Sequence, residues 1–183
     1  MGRMIIDAAT SMDGFCADAR GQSIIPIEAL NRADLRQPLV SACGAVVMSR
    51  RSFDTVADPD WFADNYELQV PIFVVSDDPP PARYPKENER LRFHFLDTFT
   101  EAFERAEQAA GEKAVLAIGE ASTVQAALLS GMADEMWLRV IAKETGGGTP
   151  LFGPGKPGKE FFVSAVETTP GTVHMKLERR VEH

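Results

Sequence analysis

Polar segments follow four apolar runs of the sequence at the points where the runs end. These segments are residues 11–13, 49–52 and 119–123 together with Ser76, and they are rich in serine, aspartate, arginine and glycine. The apolar runs have the composition of strands that are buried on both faces of a parallel sheet. Because the carboxyl ends of parallel strands border one crevice, the polar segments should meet there. The sequence therefore predicts a ligand site at one edge of a sheet.

The segment after the fourth run has the features of a phosphate-binding turn. Residues 115–118 form a predicted strand, Gly119 permits a sharp turn, and Ser122 and Thr123 are candidate helix caps. A helix that starts here directs unpaired N–H groups and the positive end of its dipole toward the crevice, which suits a phosphate. An ordinary strand–turn–helix connection without a ligand is the alternative interpretation.

The segment after the second run supplies positive charge in a protein that is otherwise acidic. Arg50 and Arg51 stand at a predicted helix start, where cations oppose the helix dipole. A bound anion would resolve that conflict, and this observation favours phosphate binding. A solvated helix start is the alternative.

Composition limits the class of protein. The chain has 183 residues, 44% of them hydrophobic and 25% charged, with a net charge of −8. We expect one domain over residues 1–183, no nucleic-acid or membrane partner, and a cytoplasmic location. Cys16 and Cys43 lack metal-ligand spacing, so we expect free thiols and no metal site.

The elements that must position these residues alternate between strands and helices before a strand-rich end. This order predicts an α/β fold with a mostly parallel central sheet, helices on both faces and an antiparallel C-terminal edge. Residues 58–67 and 146–159 are expected to be irregular. The predicted strands are residues 4–10, 44–48, 70–76, 91–96, 115–118, 134–141, 160–168 and 172–180, and the predicted helices are residues 28–42, 98–110 and the stretch between Gly119 and Gly131. The first helix should break or end near Pro38.

Five segments in order and spacing resemble the dihydrofolate reductase-like superfamily. They are residues 11–15, 47–53, 71–76, 118–121 and 129–135, and residues 146–152 add a glycine-rich loop. Within that superfamily the chain is most similar to the reductase domain of the bacterial bifunctional riboflavin-biosynthesis protein, the RibD C-terminal domain family. The resemblance implies a three-layer α/β/α fold, NADPH (NADP) as cofactor, a small-molecule heterocyclic substrate and a homodimer. The reaction would be most like that of 5-amino-6-(5-phosphoribosylamino)uracil reductase.

The same resemblance assigns site residues by motif. Asp13 would be catalytic, orienting a substrate amine or relaying a proton, although a turn aspartate bonded to its own backbone is an equal alternative. Ser11, Glu28 and Asp34 would lie on the substrate side, with surface solvation as the alternative for the two carboxylates. The cofactor would be held by Arg50, Arg51, Ser52, Ser76, Gly119, Glu120, Ala121, Ser122 and Thr123.

The chain departs from the superfamily pattern at the turn after the central strand. Gly119-Glu120 replaces a Gly-Gly pair that forms a cis peptide in the dihydrofolate reductases. A glutamate would add strain to such a peptide and would bring a negative side chain close to a pyrophosphate. The leading hypothesis is an NADPH-dependent reductase, and the alternative is a non-catalytic ligand- or nucleotide-binding module that keeps the fold.

Overall fold

An eight-stranded sheet forms the centre of the computed structural model, which describes residues 2–25, 33–154 and 160–180, with the backbone alone for residues 33–36. The strands of the described residues are β1 (Met4–Ser11), β2 (Phe15–Ala17), β3 (Cys43–Ser49), β4 (Ile72–Val75), β5 (Phe93–Leu96), β6 (Ala114–Ile118), β7 (Ala133–Ile141), β8 (Thr149–Pro150), β9 (Phe161–Thr169) and β10 (Thr172–Arg179). The helices are α1 (Ala33–Ala42), α2 (Arg50–Phe53), α3 (Trp61–Asn65), α4 (Phe99–Ala110) and α5 (Ala121–Ser130).

The strand order of the large sheet is β5-β4-β3-β6-β1-β7-β10-β9. The first six strands in that order are parallel, and β10 runs antiparallel to both β7 and β9. The predicted mostly parallel sheet with an antiparallel C-terminal edge is therefore confirmed. Its consequence for function is that the carboxyl ends of six strands lie along one edge.

Alternation along the strands divides the apolar core into two layers. In β1, Ile6 packs on one face of the sheet with Phe103 of α4 and Val124 of α5. The adjacent Ile5 packs on the other face with Leu39 of α1, beside Phe53 and Phe62. Since successive side chains of a strand point to opposite faces, both layers follow from the same apolar run. The three-layer α/β/α arrangement is confirmed.

Two sequence predictions differ from the structure in detail, and part of a third is not tested. Pro38 lies inside α1, which continues to Ala42, so the predicted break is wrong. The cost of one lost backbone hydrogen bond is offset by burial of the next residue, Leu39, which is 2% exposed. One turn of helix, α3, occupies the middle of the segment that we expected to be irregular. The expected N-terminal part of the first helix, including Glu28, lies outside the described residues.

A second, two-stranded sheet was also not predicted from the sequence. It pairs β2 with β8 and so joins the loop after β1 to the glycine-rich loop after β7. A side chain at Gly148 would collide with the carbonyl oxygen of Ala17, and the φ of Gly148 is +133°. Only glycine therefore permits the two loops to approach this closely. The pairing brings both loops to the carboxyl edge of the large sheet.

The strand β9 forms one edge of the large sheet and is solvent-exposed along most of its length. Val163 is 51% exposed and Val166 is 56% exposed, and Phe162 is also exposed. Long apolar edge strands are normally covered, because their free backbone groups pair readily with another strand.

The helices within the described residues are too short to cross a lipid bilayer.

Candidate functional site

The starts of α2 and α5 lie side by side at the carboxyl edge of the sheet. The helix α2 begins at Arg50, directly after β3, and α5 begins at Ala121, three residues after the end of β6. The two starts are connected, because Ser49 donates its backbone N–H to Oγ1 of Thr123 at 3.1 Å. The hydroxyl of Ser49 also caps α2 by accepting from the N–H of Ser52 at 3.2 Å. The sequence prediction that these segments meet is therefore fulfilled in the geometry.

Gly119 makes the close approach of the two helix starts possible. Its φ is +120°, and a side chain at this position would collide with the hydroxyl of Ser52. Because Gly119 has no side chain, the backbone of this turn can lie directly against the start of α2. Thr123 is fully buried and links α5 to β3, whereas Ser122 is exposed. Neither of the two candidate caps stands at the N-cap position of α5, so that prediction is wrong.

Glu120 occupies the N-cap position of α5. Its backbone is extended, with φ −88° and ψ −179°, and its carboxylate accepts a hydrogen bond from the Ser122 hydroxyl. All peptide bonds between described residues are trans, so the implied cis peptide at Gly119-Glu120 is absent and glutamate is unstrained there. The negative charge of Glu120 remains, however, and it lies at the helix start where a pyrophosphate was expected to bind.

Arg50 and Arg51 point to different partners. Arg50 donates through Nε to the carboxylate of Asp54 at 2.9 Å and through Nη1 to the carbonyl of Pro79 at 2.9 Å. Arg51 donates through Nη2 to the carbonyl of Gly21 at 3.0 Å. Each guanidinium carries five N–H donors, so both keep donors for a further acceptor. The two cations remain the main positive charges beside the helix starts.

A cavity of about 250 Å³ opens next to these helix starts. Arg51, Ser52, Gly119 and Glu120 line it beside the helix starts. Ala8 and Ala9 of β1 also contribute to the lining. Aromatic and polar residues of α3 and the segment after it complete it, and these are Trp61, Phe62, Asn65, Tyr66 and Glu67. A cavity of this kind, mainly apolar with a few converging polar groups, is typical of a small-molecule site.

The buried ion pair Asp7–Arg139 also lines the cavity and was not predicted from the sequence. Asp7 is 1% exposed, and its Oδ1 lies 2.7 Å from Nη2 of Arg139 on the neighbouring strand β7. The Nε of Arg139 is buried and has no hydrogen-bond partner among the described residues. The position of Asp7 in the middle of an apolar strand could have predicted the pair, because a carboxylate is rarely buried without a partner.

Asp13 is held by the glycine-rich loop after β7. Its carboxylate accepts from the backbone N–H of Thr145 at 3.1 Å and of Gly146 at 2.8 Å, and from the Ser11 hydroxyl. The Ser11 hydrogen bond, helped by the two amides, lowers the pKa of Asp13 to about 2. The carboxyl group is therefore ionised at neutral pH and is a poor proton donor. Its catalytic role stays a prediction. The two backbone contacts are not those of the alternative, a turn aspartate bonded to its own backbone, because they join the turn to a loop 132 residues further along the chain.

Four further residues were predicted from the sequence to bind the cofactor or the substrate. Ser76 follows β4, and its hydroxyl accepts from the N–H of Asp78 at 2.9 Å. Ser11 is buried at the end of β1, where it caps the following turn by accepting from the N–H of Phe15 at 3.0 Å. The backbone of Asp34 belongs to α1, and Glu28 lies outside the described residues. For all four residues the binding role stays a prediction.

Comparison with known proteins addresses the fold. No protein-family model and no curated protein matches the chain. Among solved structures, a protein from Shewanella sp. PV-4 that is assigned to riboflavin biosynthesis matches with a TM-score of 0.73 and 23% identity, over 99% of this chain and 100% of that one. The chain has the dihydrofolate reductase-like fold. The resemblance inferred from short sequence segments is thus confirmed at the level of this fold.

Two longer proteins share the fold. The diaminohydroxyphosphoribosylaminopyrimidine deaminase/5-amino-6-(5-phosphoribosylamino)uracil reductase of Thermotoga maritima matches with a TM-score of 0.71 and 14% identity, over 98% of this chain and 57% of that protein. RibD of Acinetobacter baumannii matches with a TM-score of 0.66 and 17% identity, over 98% of this chain and 58% of that protein. The chain therefore spans a little over half of each of these proteins.

Proposed function

We propose that the chain is an NADPH-dependent reductase of a small heterocyclic compound. The observation that carries the proposal is the cavity itself, which is lined by Arg51, Ser52 and Gly119 at the starts of two helices and by the aromatic side chains of Trp61, Phe62 and Tyr66. The phosphates of a dinucleotide need an anion-binding group, and its nicotinamide ring and a flat substrate need an apolar surface. The reaction is most like that of the reductase part of the Thermotoga maritima protein named above.

The residues at the helix starts fit a dinucleotide phosphate. Arg50 and Arg51 would hold the 2′-phosphate and part of the pyrophosphate, since guanidinium groups bind phosphate oxygens with paired hydrogen bonds. Gly119 would let the backbone approach the pyrophosphate, because no Cβ stands between the turn and Ser52. The first N–H groups of α5 would donate to the same group.

When bound, NADPH supplies a hydride to an electrophilic carbon of the substrate, and one proton taken up by the adjacent nitrogen or oxygen balances the reaction. The chain's own contribution is then orientation and exclusion of water. The backbone of β1 would support the substrate ring from below, and Trp61 and Phe62 would shield it at the side. Asp13 holds the two loops at the rim in place through Thr145 and Gly146.

Titration of the protein with NADPH and NADH, followed by tryptophan fluorescence, tests the proposal. Trp61 lines the cavity and should be quenched by a nicotinamide cofactor, whereas the control variant Trp61→Phe should lose most of the signal. NADPH that binds and is then oxidised with a heterocyclic substrate supports a reductase. NADPH that fails to bind contradicts the proposal. Binding without turnover across a panel of heterocycles would favour the non-catalytic binding module.

Replacement of Glu120 by glycine should tighten NADPH binding. The change removes a carboxylate that lines the cavity at the start of α5, close to the expected pyrophosphate. Removing one such like charge is worth about 1 kcal/mol near a protein surface, and a calorimetric titration would measure it. Because the Glu120 backbone is unstrained, Glu120→Gln should recover nearly the whole gain.

Glu112→Gln serves as the matched control for this prediction, since Glu112 is an exposed carboxylate outside the cavity lining. It should leave NADPH affinity unchanged. Weaker NADPH binding by both Glu120 variants would show that this carboxylate contacts a ligand instead of repelling one, and the cofactor assignment at α5 would have to be withdrawn.

We also propose that the chain forms a homodimer through the edge strand β9. A second copy would cover Val163 and Val166 and pair the free backbone groups of the strand. Sedimentation at micromolar concentration should give twice the 20.0 kDa chain mass. Val166→Lys should shift the equilibrium toward monomer, and the control Leu129→Lys, at an exposed position on α5, should not. A wild-type monomer would contradict the proposal.

A further inference from the structure

We infer that Arg139 binds the substrate and that its guanidinium group selects a heterocycle with a carbonyl oxygen on the ring. This inference rests on the proposed function, because it concerns the substrate of the same cavity. The residues that the family resemblance assigned to the site do not include Arg139. Its ion pair with Asp7 thereby acquires a role in recognition.

Strand pairing places the Arg139 side chain against the cavity. Arg139 of β7 is the register partner of Ala9 in β1, and Asp7 lies two residues before Ala9 in the same strand. Directly paired residues share one face of a sheet, and so do residues two positions apart in one strand. Asp7, Ala9 and Arg139 therefore lie on the same face, and all three line the cavity. Because the side chain of Ala9 is a single methyl group, it leaves space beside the guanidinium group.

The guanidinium group is the more accessible member of the ion pair. The side chain of Asp7 is 1% exposed, whereas that of Arg139 is 13% exposed. A molecule in the cavity therefore meets a hydrogen-bond donor at this position in preference to a carboxylate. The carboxylate of Asp7 accepts from Nη2 of Arg139 at 2.7 Å, and this bond fixes the orientation of the planar guanidinium group.

Arg139 has donors that Asp7 does not use. A guanidinium group carries five N–H donors, and the bond to Asp7 occupies a donor of Nη2. The Nε is buried and has no hydrogen-bond partner among the described residues. Buried donors are normally paired, because an unpaired donor has lost its hydrogen bonds to water without a replacement. An acceptor oxygen bound beside Arg139 would give the guanidinium group a second partner.

The aromatic lining of the cavity favours a ring carbonyl as this acceptor. Trp61, Phe62 and Tyr66 form a compact cluster with ring centroids 5.3–5.7 Å apart, and all three residues line the cavity. Aromatic surfaces of this kind pack against planar ligands. A carbonyl group on such a ligand offers a strong, neutral acceptor in the plane of the ring. A neutral acceptor suits Arg139, since its charge is already paired with Asp7.

Two pyrimidines that share the ring and two adjacent amino groups test the inference: 5,6-diaminouracil has two ring carbonyls, and 4,5-diaminopyrimidine has none. Binding of each is measured by tryptophan fluorescence, with and without saturating NADPH, and Trp61→Phe supplies the baseline. We expect 5,6-diaminouracil to bind roughly tenfold to a hundredfold more tightly, as is usual for a hydrogen bond from a charged donor. Equal binding of the two compounds, or binding of neither, would overturn the inference.

The double variant Asp7→Ala/Arg139→Met assigns the preference to the guanidinium group. It removes both members of the ion pair, and it should make the affinities for the two pyrimidines nearly equal. Glu101→Ala/Arg105→Met is the matched control, because it removes an exposed ion pair of α4 outside the cavity lining and should keep the preference. A preference that survives in the Asp7/Arg139 variant would contradict the inference.

Arg139→Lys keeps a positive charge beside Asp7 and covers the case in which the double variant does not fold. In nuclear magnetic resonance spectra of nitrogen-15-labelled protein, the arginine Nε–H signal that is missing from Arg139→Lys belongs to Arg139. We expect this signal to shift further with 5,6-diaminouracil than with 4,5-diaminopyrimidine. Equal shifts, or no shift while 5,6-diaminouracil is bound, would overturn the inference.

NADPH binding, measured separately in each protein, distinguishes the two proposals. A protein that prefers 5,6-diaminouracil through Arg139 and does not bind NADPH would contradict the proposed cofactor and leave the role of Arg139 supported. A protein that binds NADPH and does not distinguish the two pyrimidines would contradict the role of Arg139 alone.

Discussion

Arg51→Ala should weaken NADPH binding roughly tenfold to a hundredfold and leave NADH binding almost unchanged. A charge-assisted hydrogen bond contributes about 1.5–3 kcal/mol, and 1.4 kcal/mol corresponds to a factor of ten in affinity. NADH lacks the 2′-phosphate, so a loss confined to NADPH identifies the arginine as the recognition element. Dissociation constants of both cofactors, measured by fluorescence or calorimetry, give the ratio directly.

Arg50→Ala should act in the same direction. Arg50 additionally connects α2 to Asp54 and to the carbonyl of Pro79, so some loss of NADH binding is expected as well. Arg105→Ala is the control, because Arg105 is an exposed arginine of α4 outside the cavity lining. If wild-type protein binds both cofactors equally, or if Arg51→Ala lowers both affinities equally, the cofactor would not be selected by its 2′-phosphate.

Asp7→Ala should destabilise the protein by about 3 kcal/mol or more. The change leaves the guanidinium of Arg139 without its partner in a site where that side chain is 13% exposed, and breaking a buried pair costs about 3–5 kcal/mol. Urea unfolding monitored by circular dichroism measures the loss. The double variant Asp7→Ala/Arg139→Met removes both charges and should recover a substantial part of the stability.

The surface pair of Lys86 and Asp64 provides the comparison for this prediction. Its atoms lie 2.7 Å apart, as in the buried pair, but both side chains are more than half exposed. Asp64→Ala should therefore cost less than about 1 kcal/mol. Similar losses of unfolding free energy for Asp7→Ala and Asp64→Ala would mean that the buried Asp7–Arg139 pair contributes no more to stability than a surface ion pair.

The sequence predicts the large sheet well because its strands are continuous apolar runs. Residues 44–48 and 115–118 were placed within two residues of β3 and β6, and the polar segments after them lie together as expected. Asp7 lies inside one of these apolar runs, so it was assigned to the strand and its charge was not considered. Its importance depends on Arg139, a residue that becomes a neighbour only through the pairing of β1 with β7.

Elements without a periodic pattern were beyond sequence analysis. The strands β2 and β8 contain three and two residues, and they form because Gly148 lets two loops approach closely. The single turn of α3 has no apolar repeat of its own and is positioned by Trp61 and Phe62. These short elements supply the aromatic lining and the rim of the cavity, so the position of the two helix starts was predicted from the sequence and the position of the aromatic lining was not.

The clamp between Asp13 and the loop at Thr145 also bears on the order in which the chain acquires its structure during synthesis. Asp13 and Thr145 are 132 positions apart, and the strands described as paired with β1 are β6 and β7, both from the second half of the chain. Chains emerge from the ribosome starting at the N-terminus, and contacts between distant residues form late and slowly. The first strand must therefore wait, with its apolar side chains unpaired, until β6 and β7 have been made. Until then, the exposed apolar side chains of β1 make the nascent chain prone to aggregation.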